Sequence, residues 1–384
     1  MIFSKRLLNT IIEEQEDPNA PVKILGTLPN DFYGTAYNLI KIDDEFYAIN
    51  NSGANKDTTT TDVRTLNFIS KTTDFKNWNG SGIGSGHTVY DEVSGFFFSI
   101  TLGLNYSTNY AAYHVTKINP KTFEYKTTTI MEPTPLSQTS RYISQVQRIG
   151  NYLVFYYVKG KTDTYSCYSS DNGETWQSTK LASVSLGLGA FSYSIASDGT
   201  KALVNGYFSS SSSSVKLFTS PTAYQTTNCS SMKSDRPGFS YGNNFYYFNY
   251  SATTLNLSTD LKNYSKTFSV IKNTVGNQCV FFDNYIITAN TMSYSLKSPP
   301  DDISYYGKLI IFDKTNGDMY YFDTGLDVPY QNGSGDYIYI YCYIQVVGFI
   351  DNEIYFVFQC QKKKSYQLAK VHVSYVIENM VKHV

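Results

Sequence analysis

Charge is scarce in this chain. Only 16% of its 384 residues are charged, and the formal net charge is −1. Nucleic acids and acidic membranes both want a basic face, so neither is expected as a partner. Arginine is scarcer still, limited to Arg6, Arg64, Arg141, Arg148 and Arg236 beside 26 lysines. The four histidines, His87, His114, His372 and His383, have no HExxH or paired spacing. The five cysteines, Cys167, Cys229, Cys279, Cys342 and Cys360, include no CxxC. No metal site is expected from either set. An odd number of widely spaced thiols suits synthesis in a reducing cytosol. No run of ~18 apolar residues is present, so no membrane insertion is expected. The N-terminus, Met1 to Arg6, lacks the long apolar core of a signal peptide, so the chain is expected to be made in the cytoplasm. No phosphate loop or dinucleotide fingerprint occurs, and no cofactor is expected.

Aromatic residues are abundant, at 16%, with 36 Tyr and 24 Phe. Together with Val, Ile and Thr they favour strands. Tyrosine suits half-buried strands, because its ring packs while its hydroxyl reaches water. Short polar turns punctuate the apolar runs. Asp43-Asp44-Glu45 precedes Phe46-Tyr47-Ala48-Ile49, and Asp91 to Gly95 precedes Phe96-Phe97-Phe98. The same pattern returns at Gly150-Asn151, Asp198-Gly199, Gly242-Asn243-Asn244, Asp283-Asn284 and Asp351-Asn352-Glu353. Each is a hairpin signal. The seven recur at a mean interval of about 51 residues, the size of a propeller blade. The reading is an all-β propeller of about seven blades at residues 22–384, with strand 22–28 closing the ring against the C-terminal blade. Residues 1–21 read as a separate helical or extended segment that ends near Pro18 and serves as an anchor or tail.

A second repeat lies downstream of the hairpins. Thr73-Asp74-Phe75-Lys76-Asn77-Trp78 matches Thr259-Asp260-Leu261-Lys262-Asn263-Tyr264. Between them stands Ser169-Ser170-Asp171-Asn172-Gly173-Glu174-Thr175-Trp176, which fits S-x-D-x-G-x-T-W in full. Weaker copies begin at Ile118, Ser220 and Asp313. These stretches resemble the Asp-box (BNR, sialidase-type) repeat of propeller proteins, including the propeller domains of bacteriophage tail and virion proteins. The resemblance implies a turn between the third and fourth strands of a blade. Its staple residues would be Thr72, Asp74 and Trp78; Ser169, Asp171, Gly173 and Trp176; and Ser258, Asp260 and Tyr264. Carboxylate and hydroxyl accept turn N–H groups, glycine supplies positive φ, and the aromatic pins the hairpin. Trp176 is expected to be largely buried.

Long polar loops at 50–62, 102–110, 158–164, 208–214, 292–306 and 359–365 fall between the second and third strands. They would share one face, opposite the box turns. Tyr106, Tyr294, Tyr305 and Tyr306 on these loops offer flat surface for a sugar or a protein. Arg141 and Arg236 are expected to face the central channel. A sialidase-like site would need three arginines, a Tyr–Glu pair and an acidic Asp, and this set is incomplete. A furanosidase-like site would need three carboxylates, for which Asp31, Asp91 and Asp235 are the candidates. No catalytic constellation is complete. The expected function is therefore a non-enzymatic virion protein, a phage tail or capsid appendage. It would join other virion proteins through its N-terminal segment and bind a host-surface glycan or receptor. The alternatives are a glycoside hydrolase, sialidase-like or furanosidase-like, and an intracellular scaffold.

Overall fold

The structure is a computed structural model. It describes residues 21–28, 37–50, 69–81, 88–105, 109–130, 134–135, 143–159, 163–183, 194–206, 214–226, 239–241, 244–248, 254–258, 266–269, 279–289, 308–326, 328–331, 337–340, 343–359 and 367–382. The protein is an all-β propeller.

The described residues form seven antiparallel sheets of four or five strands, plus a two-stranded hairpin of Val328–Gln331 with Tyr337–Ile340. Sheets are numbered here in chain order. Sheet 1 is Tyr37–Ile42, Glu45–Asn50, Ile69–Thr72 and Asn79–Ser81. Sheet 2 begins with Thr88–Asp91 and Phe96–Asn105, and sheet 3 with Gln147–Ile149 and Tyr152–Lys159. Sheets 4, 5 and 6 begin with Ser194–Ser197, Phe239–Tyr241 and Val280–Phe282. Sheet 7 is Tyr343–Ile350, Glu353–Gln359 and Gln367–His372, with Val22–Thr27 as its outer strand.

Residues with positive φ explain the first hairpin of six of the seven sheets. Asp43, Asp283, Asp351 and Asn352 all take left-handed conformations, as do Gly95, Gly150 and Gly199. Asp, Asn and Gly tolerate that region, and tight hairpins demand it. The first strands of sheets 2, 3, 4 and 5 meet in succession, as do those of sheets 6, 7 and 1. At the join between sheets 7 and 1 the backbones nearly touch, since a Cβ on Gly348 would lie 2.5 Å from the Leu39 carbonyl oxygen.

Apolar side chains fill the gaps between sheets. Tyr47, Ile49, Ile69, Phe97 and Ile118 pack between sheets 1 and 2. Phe98, Tyr113, Leu153, Phe155 and Cys167 pack between sheets 2 and 3, where burial pushes the Cys167 thiol up to about 12. Tyr246 meets Phe281 across sheets 5 and 6 at 5.0 Å between ring centroids. Each sheet therefore buries both faces, which is why its strands read as near-continuous apolar runs.

The one helix among the described residues is Val373–Asn379, at the C-terminal end. His372 ends its strand and caps the helix, accepting the Ser374 N–H on Nδ1 at 3.3 Å. Buried Val373 and Val376 hold the helix to the core. The chain then adds Val381–Lys382 as a fifth strand of sheet 6, with Lys382 Nζ 2.6 Å from Asp318 Oδ2. The helical segment expected within residues 1–21 lies outside the described residues, apart from Pro21.

Two of the expected long loops are shorter than read. Phe96–Asn105 pairs with Tyr110–Ile118 through Asn105 and Tyr110, and Lys159 pairs with Asp163. Polar residues there extend the ladder because cross-strand pairing outweighs their weak strand preference.

Candidate functional site

A cavity of about 500 Å3 sits against the first strands of sheets 1, 2 and 3. Small-molecule sites commonly span this volume. Ile40, Ile42, Ile49 and Val89 give it apolar walls, and Asn38, Gln145 and Gln147 add amides. Its rim carries Asp43 and Glu92, each in the turn after a first strand, with Tyr90 between them in sequence order. Turns after first strands and turns after third strands emerge at the same end of a sheet, because strands alternate in direction. Lys121, in the third-strand turn of sheet 2, accordingly reaches Asp43 Oδ2 at 2.9 Å. The cavity thus opens at the end opposite the second-to-third-strand loops.

The electrostatics of the rim are acidic. Lys41 Nζ is 2.7 Å from Asp351 Oδ2, and each cation of the rim is matched by a carboxylate in this way. Burial raises the Tyr90 pKa, and the charges of Glu92, Asp43 and Asp91 add to the rise. The Tyr90 hydroxyl therefore stays protonated at neutral pH and is available as a donor.

Behind the rim, Asp91 and Arg148 form a bidentate pair, Nε to Oδ1 at 2.8 Å and Nη2 to Oδ2 at 2.6 Å. Asp91 also accepts the Ser94 N–H at 2.8 Å. Burial works against its charge, yet the Arg148 and Ser94 bonds outweigh it and hold the carboxyl below its usual range. Asp91 is thus a structural anion and not a reacting carboxylate. Arg148 continues to Asn172 Oδ1 at 3.1 Å, and its carbonyl accepts a bond from Ser197 Oγ. One arginine ties sheets 2, 3 and 4 around the cavity.

The turn at 72–78 is closed by its own side chains. Thr72 Oγ1 accepts the Phe75 N–H at 3.0 Å, and Asp74 Oδ1 accepts those of Lys76 and Asn77 at 2.9 and 2.8 Å. In the turn at 169–176, Ser169 Oγ accepts the Gly173 N–H at 2.7 Å, and Asp171 Oδ1 accepts the Thr175 N–H at 2.9 Å. Asn119, Ser220 and Asp313 accept turn N–H groups in sheets 2, 4 and 6 in the same manner.

These turns also reach the preceding sheet, which their residue pattern does not indicate. Phe75 lies 6.0 Å from Tyr355 of sheet 7, ring to ring. Glu174 bonds Lys117 of sheet 2 at 2.7 Å. Trp176 is partly buried against the core between sheets 2 and 3, 6.2 Å from Phe98 and 5.7 Å from Phe155. Trp78 is likewise half-buried beside Phe75.

The Thr175 hydroxyl and the turn N–H groups hold the Asp171 carboxyl at about 2. A depressed carboxyl stabilises the fold above its unfolded pKa, ~4, and loses that contribution as pH falls through its folded value. The Asp171→Asn variant should melt below the parent at pH 7, by under about 1 kcal/mol because the site is exposed. The gap should close between roughly pH 4 and pH 2. Melting curves across that range check this, and a constant gap would refute the role of the charge.

Of the other site residues read from sequence, Tyr106, Tyr294, Tyr305, Tyr306, Arg141 and Arg236 lie outside the described residues. So do Asp31, Asp235, Asp260 and Tyr264, while Ser258 ends a strand of sheet 5. Asn38, Asp43, Tyr90, Glu92, Gln145 and Gln147 escaped the sequence reading as site residues. Two signals pointed to them: amides where the innermost strands should be apolar, and carboxylates in equivalent first turns. No group of His, Cys, Asp and Glu among the described residues is arranged to hold a metal.

No protein-family model matches the chain. No curated protein matches it either. Among solved structures, it is similar to an α-L-arabinanase of Penicillium chrysogenum, at 10% identity over 93% of this chain and 99% of that one, with a TM-score of 0.37. It is similar to a sialidase of Streptococcus pneumoniae, at 10% identity over 97% and 73% of the two chains, TM-score 0.40. It is also similar to the β-propeller domain of the Trilobed protease of Pyrococcus furiosus, at 9% identity over 90% and 97%, TM-score 0.42. The expectation of a non-enzymatic virion protein finds no support in these similarities. Glycoside hydrolases stand among the similar structures where a virion protein was expected. The cavity against sheets 1, 2 and 3 has room for a small molecule.

Proposed function

We propose that the chain is a glycoside hydrolase acting at the axial cavity. The observation that carries this reading is the pairing of sugar-compatible walls with two carboxylates at one rim. Amides and a tyrosine hydroxyl match sugar hydroxyls in both donor and acceptor sense. Apolar side chains match the faces of a sugar ring. Glycoside hydrolysis needs a carboxylate to act as base or nucleophile and a carboxylic acid to protonate the leaving oxygen. Asp43, ion-paired to Lys121, is one of the two carboxylates at the rim. Glu92, which has no cation in ion-pair range among the described residues, is the other. Tyr90 positions the substrate by donating its hydroxyl proton. The furanosidase-like form is favoured over the sialidase-like form, because Arg148, the one arginine among the described residues, is spent on Asp91. The turns at 72–78 and 169–176, read as Asp-box turns, support the fold and supply no reacting group.

The test is hydrolysis of a panel of neutral aryl glycosides, furanosides included, by parent, Glu92→Gln and Asp43→Asn. Each variant should lose about 100-fold or more in kcat/KM while keeping the parent's melting temperature within a few degrees. Absence of turnover across the panel, or equal turnover by all three proteins, would overturn the assignment.

A further inference from the structure

We infer that the axial cavity selects neutral sugars and rejects those bearing a carboxylate. This rests on the reading of the cavity as a sugar site. Holding a carboxylate ligand takes a cation with donors to spare, arginine above all. Among the described residues, each cation at this cavity already has its charge matched by a carboxylate. Lys41 is engaged by Asp351 at 2.7 Å, and Lys121 by Asp43 at 2.9 Å. Arg148, only 12% exposed, gives both ends of its fork to Asp91. Each pair cancels at the range of a bound ligand. Glu92 then leaves one uncompensated negative charge at the rim. The charge of Glu92 acts on the neighbouring Tyr90 hydroxyl, so its field reaches the place a ligand would occupy. Asn38, Gln145 and Gln147 complement hydroxyls and offer an anion no charge. A single like charge at contact range near a protein surface weakens binding by about tenfold or more, and salt screens it.

The experiment is calorimetric titration of the full chain with a matched pair, galactobiose and digalacturonate, which differ in carboxylates alone. The neutral member should bind at least about tenfold tighter. Raising the salt to roughly 1 M should narrow the difference. Glu92→Gln combined with Asp351→Asn removes the uncompensated charge and releases Lys41, and should bring the ratio toward one. Equal or tighter digalacturonate binding by the parent would overturn the inference. So would a ratio that neither salt nor the double variant changes. Binding of neither sugar overturns it together with the sugar-site reading. Hydrolysis is not part of the readout. A chain that binds galactobiose selectively but cleaves no glycoside sinks the hydrolase assignment alone, and one that cleaves neutral glycosides but binds both sugars alike sinks this inference alone.

Discussion

Replacing Arg148 by methionine should destabilise the protein by about 3–5 kcal/mol, because it strands a buried carboxylate. The side chains of Arg148 and Asp91 are only 12% and 9% exposed. Methionine keeps the length of the side chain and its apolar contacts but removes the charge. Asp91 would then pay its desolvation with only the Ser94 N–H in return. For a chain of this size the loss corresponds to a fall in Tm of about 4–6 °C. Asp91→Asn in the Arg148→Met background should recover much of the loss, since asparagine keeps the acceptor for Ser94 and removes the charge. The sign with pH follows from the depressed Asp91 carboxyl. In the parent its contribution is present above the unfolded pKa, ~4, and fades as pH falls through the folded value, so parent and variant should converge in acid. Urea unfolding of the parent and the two variants at neutral and acid pH checks this. An Arg148→Met protein as stable as the parent would show that water reaches Asp91.

Changing Gly173 to alanine should be about as damaging, by a different route. Gly173 has φ +84°, and an added Cβ would lie 2.3 Å from Cε1 of Phe98. Phe98 is fully buried between sheets 2 and 3 and has nowhere to retreat. The left-handed backbone costs about 1–2 kcal/mol for a residue with a Cβ. Overpacking adds about 1–3 kcal/mol. Gly199 separates the two contributions. It has φ +87°, but nothing lies within 4 Å of its would-be Cβ. Gly199→Ala should therefore lose only the backbone share, and Gly173→Ala should melt clearly below it. If the two variants melted together, the packing of the turn against the preceding sheet would carry no weight.

Much of the fold was legible because its signals are local. A tight hairpin needs left-handed residues, so Asp43, Gly150, Asp283 and Asp351 announce themselves wherever they fall between apolar runs. The box turn likewise closes on its own side chains within a few residues, as Ser169 with Gly173 and Asp171 with Thr175 show. The candidate site was far less legible. Asp43 and Glu92 serve turns as well as they serve a rim, and nothing in a single strand distinguishes the two uses. Asn38 and Gln147 belong to different sheets, and only closure of the ring brings them to one cavity.

By itself, the sequence determined the hairpin positions, the all-β class, the turn chemistry and the shortage of arginine. All of these follow from backbone preference and composition, which act over a few residues. The tertiary structure decided the rest. It set Gly173 and Trp176 against Phe98 in the preceding sheet, spent Arg148 on Asp91, laid the C-terminal strand on sheet 6, and opened the cavity at the turn end. Those contacts join residues tens to hundreds of positions apart. Their partners are chosen by how seven curved sheets pack face to face around an axis, and no local preference encodes that choice.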